Sequence, residues 1–404
     1  MNVIIHPGKA KGIVSAPPSK SMAHRLLICA GLAEGTSRIS ELDYNEDILA
    51  TIDCLRALGA VCSVEGDTVT VVGTNMRNAE PKQVLRCRES GSTLRFFIPL
   101  ALLCGKAVSL TGTQKLLSRP LGIYEQLCQE KGFAFAHSGN ALKVQGNLNG
   151  GTYEMPGNVS SQFLTGLLFA LPLTEQDSRI QITTSLESKS YVELTLQAVR
   201  AFGVKAVWQD SNTIFIPGGQ RYQARDMAVE GDYSAAAFYG AMNALGSEVT
   251  VQGLLEDSLQ GDKVYTRHMQ SLVAGCPEID LSNCPDLGPV LFAVAAAKNG
   301  AYFTGTERLK LKESDRAVAM AQELSAFGTK VVVEENSVTV MPVAFHAPDR
   351  VLCGHNDHRV VMSLAVLLMV TGGRIEGAQA VAKSFPDFFE KLKQLGVEVH
   401  EADK

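Results

Sequence analysis

Six apolar segments, each opening on a small polar cluster, recur along this chain at a nearly constant interval. With one marker residue taken from each cluster, the intervals are 71, 70, 71, 54 and 71 residues. A fixed period of this kind indicates stacked copies of one supersecondary unit. The chain is therefore expected to contain six copies of such a unit, with one short interval. The six markers are Lys20, Gly91, Ser161, Asp232, Asp286 and Asp357.

A second set of residues keeps the same interval. Six glycines each close an amphipathic segment before a strand-like run, and their spacings are 73, 71, 72, 53 and 68 residues. Glycine suits the left-handed residue that follows a helix C-terminus. Each unit is therefore predicted to be an approximate β-α-β-α-β-β segment, with turns such as Glu65-Gly66-Asp67 pairing two strands. The glycines are Gly59, Gly132, Gly203, Gly275, Gly328 and Gly396.

The six units favour an α/β fold of two lobes, each with three units around buried helices. The segments after the polar openings, such as residues 163–173 and 290–297, are apolar on nearly every side, so they are predicted to be internal. A chain of 404 residues can bury two such cores. Crossovers are expected near Pro17 and Met227. The N-terminal lobe is then 18–227, and the C-terminal lobe is 228–404 completed by 1–17.

Charge and cysteine usage narrow the class of protein. A net charge of −5 without basic blocks argues against nucleic acid or anionic membrane as a partner. The purest apolar stretch, Val360 to Val370, is too short to span a bilayer. Nine cysteines, an odd number without a C-x-x-C pair, are interpreted as buried free thiols in a reducing compartment. The predicted location is the cytoplasm, and no secretion signal is recognised.

The polar openings suggest what the helices could bind. A helix N-terminus offers unpaired N–H donors and positive potential, which suits phosphate or carboxylate groups. The first three openings carry Ser, Gly, Lys and Gln, whereas the last three supply Asp232, Asp286 and Asp357. These carboxylates could act as bases or cap helices, and Asp232 is interpreted as a cap.

The segment from Arg308 to Arg316 has its own local pattern. Alternation of Arg308, Lys310 and Lys312 suggests one face of a strand, and Ser314 is a candidate N-cap for the following helix. His355 and His358 could hold a metal, but without a clear third ligand they are interpreted as capping and packing residues.

Eight short strings, in order over nearly the whole chain, strongly resemble the 5-enolpyruvylshikimate-3-phosphate synthase family. The resemblance implies an inside-out α/β barrel of two three-unit lobes, with the active site in the cleft between them. It also implies a cytoplasmic, monomeric enzyme of aromatic amino-acid synthesis without a metal or organic cofactor. The expected substrates are phosphoenolpyruvate and shikimate 3-phosphate. The strings are PSKSMAHR (18–25), SGSTLR (90–95), SRPLG (118–122), VSSQFLTGLL (159–168), EGDYSAAAF (230–238), LKESDR (311–316), NDHRVVM (356–362) and AKSFPDFF (382–389).

The same resemblance assigns roles to individual residues. Asp286 is expected to accept the acceptor hydroxyl proton, Glu313 to donate a proton to the methylene carbon and later remove it, and Lys20 to assist proton transfer. The residues expected to contact shikimate 3-phosphate are Lys20, Ser21, Arg25, Ser160, Ser161, Gln162, Ser188, Asp286 and Lys312. Those expected to contact phosphoenolpyruvate are Lys20, Gly91, Arg119, Gln162, Arg316, Arg359 and Lys383.

Some positions depart from the family pattern, and two other functions remain open. Glu89-Ser90 replace the usual Asn-Ala before Gly91, Phe96 replaces a proline, and Arg308 stands where some members have asparagine. A UDP-N-acetylglucosamine enolpyruvyl transferase would share the fold but is expected to carry a reactive loop cysteine and a Lys-Asn opening. A non-catalytic clamp for a sugar phosphate would not need both Asp286 and Glu313.

Overall fold

A computed structural model describes residues 1–81 and 83–402. The chain divides into two compact units. The discontinuous unit comprises Met1–Pro17 and Gly231–Lys404, and the continuous unit comprises Pro18–Glu230. Each unit has its own buried apolar core. None of the helices in the described ranges has the length and apolar character needed to cross a membrane.

The helices are of two kinds, as the sequence predicts. In α1, α3, α6, α8, α10 and α12 almost every residue is buried, whereas α7 and α9 bury one side only. The helices are α1 (Lys20–Leu32), α2 (Glu46–Ala57), α3 (Gly91–Leu103), α4 (Gln114–Leu117), α5 (Gly122–Lys131), α6 (Ser161–Ala170), α7 (Lys189–Ala201), α8 (Tyr233–Ala244), α9 (Tyr265–Ala274), α10 (Gly288–Ala297), α11 (Arg316–Ser325), α12 (His358–Thr371) and α13 (Phe388–Gln394).

The strands are short, and most alternate buried and exposed residues because one face packs on the buried helices. They are β1 (Asn2–Ile5), β2 (Lys11–Ser15), β3 (Ala33–Glu34), β4 (Thr36–Ser40), β5 (Val61–Glu65), β6 (Thr68–Val72), β7 (Leu85–Arg86), β8 (Val108–Thr111), β9 (Ala134–Ser138), β10 (Ala141–Gln145), β11 (Gly151–Met155), β12 (Ser178–Ile182), β13 (Val207–Trp208), β14 (Thr213–Ile216), β15 (Tyr222–Gln223), β16 (Met227–Ala228), β17 (Glu248–Gln252), β18 (Glu278–Asp280), β19 (Ala301–Thr304), β20 (Val331–Val333), β21 (Ser337–Val340), β22 (Leu352–Cys353), β23 (Gly373–Glu376) and β24 (Val399–Ala402).

Three four-stranded sheets of the continuous unit share one topology. Their strand orders are β16-β4-β6-β5, β7-β8-β10-β9 and β11-β12-β14-β13. In each sheet the first pair is parallel and the other two pairs are antiparallel. A buried helix crosses between the two parallel strands in the second and third sheets, which gives the β-α-β-α-β-β order that the sequence predicts. The α/β fold class is therefore confirmed.

The discontinuous unit repeats this topology twice, in β18-β19-β21-β20 and β22-β23-β1-β24, where the N-terminal strand β1 supplies the third position. Its remaining sheet has only two strands, β17 and β2. No hairpin follows α9, because the chain runs directly from that helix into β18. This missing hairpin explains the short interval in the sequence.

The closing glycines agree with this difference. Gly59, Gly132, Gly203, Gly328 and Gly396 have φ between 71° and 106°, as the prediction of left-handed closing residues requires. Gly275 is the exception, with φ of 178°, which is extended backbone. The prediction for Gly275 is therefore wrong, since the chain leaves α9 straight toward a strand instead of reversing into a hairpin.

The two chain connections near Pro17 and Glu230 exchange strands between the repeats. β2 precedes α1 in sequence but pairs in parallel with β17. β16 precedes α8 but pairs in parallel with β4. At each connection the strand belongs to one unit and the helix that follows it belongs to the other. The N-terminal residues Met1–Pro17, which include β2, therefore belong to the discontinuous unit, although α1 does not.

The cysteines are all free thiols, and seven of the nine are buried. Cys276 and Cys353 are exposed, so the prediction of buried thiols is wrong for these two. Cys276 follows the end of α9, and Cys353 occupies the outward position of the edge strand β22.

Candidate active site

Helix α1 begins at the first predicted functional residue. Ser19 caps the helix by accepting a hydrogen bond from the backbone N–H of Met22. Lys20 is the first helical residue, and its Nζ lies 2.9 Å from Oδ2 of Asp47, in the first turn of α2. Both side chains are largely buried. Sequence reasoning missed Asp47, because no local pattern indicates a partner 27 residues away.

Arg25 lies one turn further along α1 and is almost completely buried. Its Nε donates to Thr195 Oγ1 at 2.9 Å, and its two terminal nitrogens donate to the carbonyls of Ser21 and Tyr191. The guanidinium also lies 5.6 Å from the ring centre of Phe96. Burial lowers the pKa of Arg25 to about 10, so the group stays charged at neutral pH. These contacts hold one orientation of a buried cation.

The start of α6 is tied to α3 by a glutamine. Ser160 caps α6, and Ser161 is buried at its first position. Gln162 Nε2 donates to Ser92 Oγ at 3.0 Å, and Gln162 Oε1 accepts from Arg95 at 2.6 Å. One predicted residue, Gln162, therefore links the start of α6 to the first two turns of α3 by direct hydrogen bonds.

Gly91 opens α3 under the guanidinium of Arg119. A Cβ atom on Gly91 would lie 2.8 Å from Nη1 of Arg119, so the glycine permits the close approach of that cation. Ser90 caps the helix through its hydroxyl, which accepts from the backbone N–H of Thr93. The departures at Ser90 and Phe96 thus have structural uses here: one caps α3, and the other packs against Arg25.

Ser188 has an unusual backbone conformation at the start of α7. Its φ of 54° is in the left-handed region, which residues other than glycine rarely adopt, and the residue is fully buried. Such conformations cost about 1–3 kcal/mol and cluster at ligand sites. The conformation of Ser188 is therefore typical of a residue whose backbone is held in place at a ligand site.

In the discontinuous unit, three cations contact one carboxylate. Asp286 lies in the 3₁₀ turn Pro285–Leu287 that leads into α10. Its Oδ1 lies 3.2 Å from Lys312 Nζ and 2.8 Å from Arg316 Nη1. Its Oδ2 lies 3.6 Å from Arg359 Nη2. Residues far apart in the sequence therefore converge on Asp286.

Arg316 is the centre of this cluster and is 1% exposed. It contacts three carboxylates: Asp286, Glu313 Oε2 at 2.7 Å and Asp357 Oδ2 at 2.9 Å. Burial lowers the pKa of Arg316, but the charges of Asp357 and Glu313 outweigh burial and hold it above its ordinary value. For Lys312 the balance is opposite: burial lowers the pKa, and Asp286 only partly opposes it.

Two local predictions fail near this cluster. The segment Glu307–Leu311 is a 3₁₀ helix and not a strand, so the alternation of basic residues does not define a strand face. Asp315, and not Ser314, caps α11 by accepting from Val318 N. Ser314 Oγ donates instead to Asp357 Oδ2 at 2.9 Å. Ser314 therefore bonds to the start of α12 instead of capping its own helix.

Asp357 is completely buried and contacts two arginines that the resemblance assigns to phosphoenolpyruvate, Arg316 and Arg359. Its carboxylate accepts from Nε of Arg316 and from the backbone N–H of Arg359, which makes it the cap of α12. Beside it, His355 Nε2 contacts Glu323 at 2.8 Å, while His358 Nδ1 lies 3.9 Å from Asp357. The two histidines thus have different partners.

Lys383 and Arg308 complete the set. Lys383 Nζ donates to the carbonyl of Asn356 at 2.8 Å, which places it beside the start of α12. Arg308 is buried, and its charge contributes to lowering the pKa of Lys312. Arg308 therefore lies close enough to the cluster for its charge to act on Lys312.

A carboxyl group that sequence reasoning missed lies next to this cluster. Asp262, in the 3₁₀ turn Gly261–Val264, is 2% exposed and accepts a hydrogen bond from Ser234 Oγ. Its Oδ1 has no hydrogen-bond partner among the described residues. Burial, reinforced by the negative charge of Asp286, raises the pKa of Asp262 to about 7. Only the Gln-Gly-Asp turn marks this position in the sequence.

Replacing Asp262 with asparagine is expected to change how stability depends on pH. Between pH 4 and 7 the folded chain holds a proton on Asp262 that the unfolded chain releases, so the wild type loses stability as pH rises. Asp262→Asn removes this loss and keeps an acceptor for Ser234. The free energy of unfolding of the variant, minus that of the wild type, should therefore increase by roughly 3 kcal/mol from pH 4 to pH 8. Urea unfolding followed by circular dichroism at both pH values measures this gain, and an unchanged difference would contradict it.

The chain matches known proteins over nearly its full length. The family model of EPSP synthase (3-phosphoshikimate 1-carboxyvinyltransferase) matches residues 4–392. A 3-phosphoshikimate 1-carboxyvinyltransferase of Clostridium kluyveri is 40% identical, with 99% of this chain and 98% of that protein covered. The protein of the same name from Clostridium beijerinckii is 38% identical, covering 98% and 97%.

Solved structures show the same fold. An EPSP synthase from Acinetobacter baumannii aligns with a TM-score of 0.80 at 22% identity, covering all of both chains. The enolpyruvyl transferase NikO from Streptomyces tendae aligns with a TM-score of 0.79 at 15% identity, over 99% of this chain and 98% of that one. These likenesses establish the inside-out α/β architecture, while the family match over residues 4–392 and the clostridial relatives decide the family. The chain belongs to the EPSP synthase family.

Proposed function

We propose that this chain transfers the enolpyruvyl group of phosphoenolpyruvate to the 5-hydroxyl of shikimate 3-phosphate, in the pathway to aromatic amino acids. Besides family membership, one observation supports this most strongly. Asp286 contacts Lys312, Arg316 and Arg359, and Glu313 contacts the same Arg316. Two carboxylates on one buried arginine can serve one reaction as a base and an acid.

The reaction needs a proton acceptor and a proton donor at different atoms. In the addition step, the 5-hydroxyl oxygen bonds to C2 of phosphoenolpyruvate, Asp286 takes the hydroxyl proton, and Glu313 gives a proton to C3. In the elimination step, the bond from C2 to the phosphate oxygen breaks, and Glu313 removes a proton from C3. The double bond is restored, and phosphate leaves. The departing phosphate takes a proton from Lys20, and the proton held by Asp286 is released to solvent, from which Lys20 regains its own. Atoms and charges then balance over one turnover.

The positively charged side chains can offset the repulsion between the two anionic substrates. Two like charges about 4 Å apart repel by about 4 kcal/mol at intermediate dielectric, and both substrates are anionic. We assign shikimate 3-phosphate to Lys20, Ser21, Arg25, Ser160, Ser161, Gln162, Ser188, Asp286 and Lys312. We assign phosphoenolpyruvate to Lys20, Gly91, Arg119, Gln162, Arg316, Arg359 and Lys383.

Lys20 has a role on both substrates in this proposal. Its ion pair with Asp47 holds the ammonium group at the start of α1. There the positive end of the helix adds to the charge that attracts an anion. A fixed, charged ammonium group can also donate a proton to departing phosphate.

We further propose that the protein acts as a cytoplasmic monomer. All nine cysteines are free thiols, which favours a reducing compartment. Both sets of assigned residues come from one chain, so the chemistry requires no residue from a second copy.

The proposal is tested by phosphate release from phosphoenolpyruvate with shikimate 3-phosphate or UDP-N-acetylglucosamine as the acceptor. Release should require shikimate 3-phosphate, and Lys20→Met and Asp286→Ala should each abolish most of it. Lys143→Met, at an exposed lysine on β10, is the matched control. Activity with the sugar nucleotide alone would overturn the acceptor. Binding of both substrates without phosphate release would favour the clamp.

A further inference from the structure

Three side chains outside the proposed active site share the outer face of a sheet edge. β24 is an edge strand that pairs antiparallel with β1, with Ile5 opposite Val399 and Ile4 opposite His400. The next step of this register sets His6 opposite Glu398, and the backbone N–H of His6 donates to the Glu398 carbonyl at 3.0 Å. Residues two apart on a strand share a face. His6, Glu398 and His400 therefore lie together.

The ligand atoms of these residues are close enough to meet one ion. The nitrogen and oxygen atoms all lie within 4.8 Å of one another. His400 Nε2 is 2.9 Å from Glu398 Oε1, and the rings of His6 and His400 are 5.5 Å apart, edge to face. Zinc bonds of about 2.0–2.2 Å to imidazole and carboxylate require donors about 3.3 Å apart. Small side-chain rotations at exposed positions supply the difference.

The backbone beneath the cluster is fixed. The opposite faces of the two strands carry Val3, Ile5 and Val399, which are buried in the core of the discontinuous unit. A set of ligands on paired strands is more rigid than one on loops. The three side chains thus have a supported base and an open approach from solvent.

The types of ligand atom in this cluster indicate which metal ion it would bind. Two imidazoles and one carboxylate suit Zn²⁺ and neighbouring divalent transition metals, whereas Mg²⁺ and Ca²⁺ prefer oxygen alone. As an exposed ion pair, His400 and Glu398 would add little to the stability of the fold. Such a pair would also give no reason for His6 to lie beside it.

We propose that His6, Glu398 and His400 bind one Zn²⁺ ion, with water at the remaining position. The ion would link the first and last strands of the discontinuous unit. A ligand that binds only the folded state stabilises it. This site is independent of the enolpyruvyl transfer proposed above and is not a catalytic site.

The test is a calorimetric titration of the tag-free full chain with Zn²⁺ alone. Because thiolates also bind zinc, the experiment uses a Cys276→Ser, Cys353→Ser background, which removes the two exposed thiols. One ion per chain should bind. His6→Asn and His400→Asn should each weaken binding at least about tenfold. His137→Asn, an exposed histidine on strand β9, should leave it unchanged.

A second measurement separates binding from damage to the fold. Excess Zn²⁺ should raise the thermal midpoint of the background protein and of His137→Asn, but not that of His6→Asn or His400→Asn. All four proteins should have equal midpoints with chelator present. The proposal would be overturned if the background protein bound no zinc, or if either ligand variant bound zinc as tightly as the background protein does.

Discussion

Replacing Arg316 with methionine is expected to destabilise the discontinuous unit by about 5 kcal/mol. The guanidinium contacts Asp286, Glu313 and Asp357, and Asp357 is completely buried. Removing one partner of a buried ion pair typically costs 3–5 kcal/mol, because the other charge stays buried without compensation. Here three carboxylates lose a shared cation. Urea unfolding followed by circular dichroism measures the loss.

Two companion variants distinguish charge from packing. Arg316→Lys keeps the charge but lacks the planar group that reaches three carboxylates, so it should lose about half as much stability. Adding Asp357→Asn to Arg316→Met should recover at least about 1 kcal/mol, since it neutralises the most buried carboxylate. If the double variant is less stable than Arg316→Met alone, uncompensated charge is not the cause.

Much of this fold follows from the sequence because each repeat carries its own local signals. The helix caps Ser19, Ser90 and Asp232 stand at the openings that the sequence marks, and five closing glycines have positive φ. Local backbone preference is enough to predict such positions. The missing hairpin after Gly275 and the exchange of β2 and β16 depend on strand pairing between distant segments, which no local signal records.

The candidate site likewise has residues that the sequence marks and partners that only the structure shows. Motifs mark Lys20, Asp286 and Arg316, but the groups that hold them are found only when distant segments meet. Asp47 pairs with Lys20 across 27 residues, and Asp357 reaches Arg316 across 41. The strand predicted for the segment around Arg308 is wrong, because three alternating basic residues are too short a pattern to distinguish a strand from other local structure.

Asp286→Asn is expected to reduce the rate of enolpyruvyl transfer by about a thousandfold. A positioned general base typically contributes a factor of 10²–10⁴. Asparagine has nearly the same shape and can still accept a hydrogen bond from Arg316, but it cannot take the hydroxyl proton. Arg316 also keeps Glu313 and Asp357 as partners, so the fold should persist. Steady-state and single-turnover rates of phosphate release measure the effect.

The division of the loss between kcat and KM tests the role of Asp286. A proton acceptor acts after both substrates are bound, so kcat should fall while substrate dissociation constants change little. A residue that merely holds Lys312 and Arg359 in place would instead weaken binding. Asp257→Asn, at an exposed aspartate of the same unit, is the matched control and should retain the wild-type rate. If Asp286→Asn keeps kcat within tenfold of the wild type, another group accepts the proton, and Asp286 serves to position the surrounding cations.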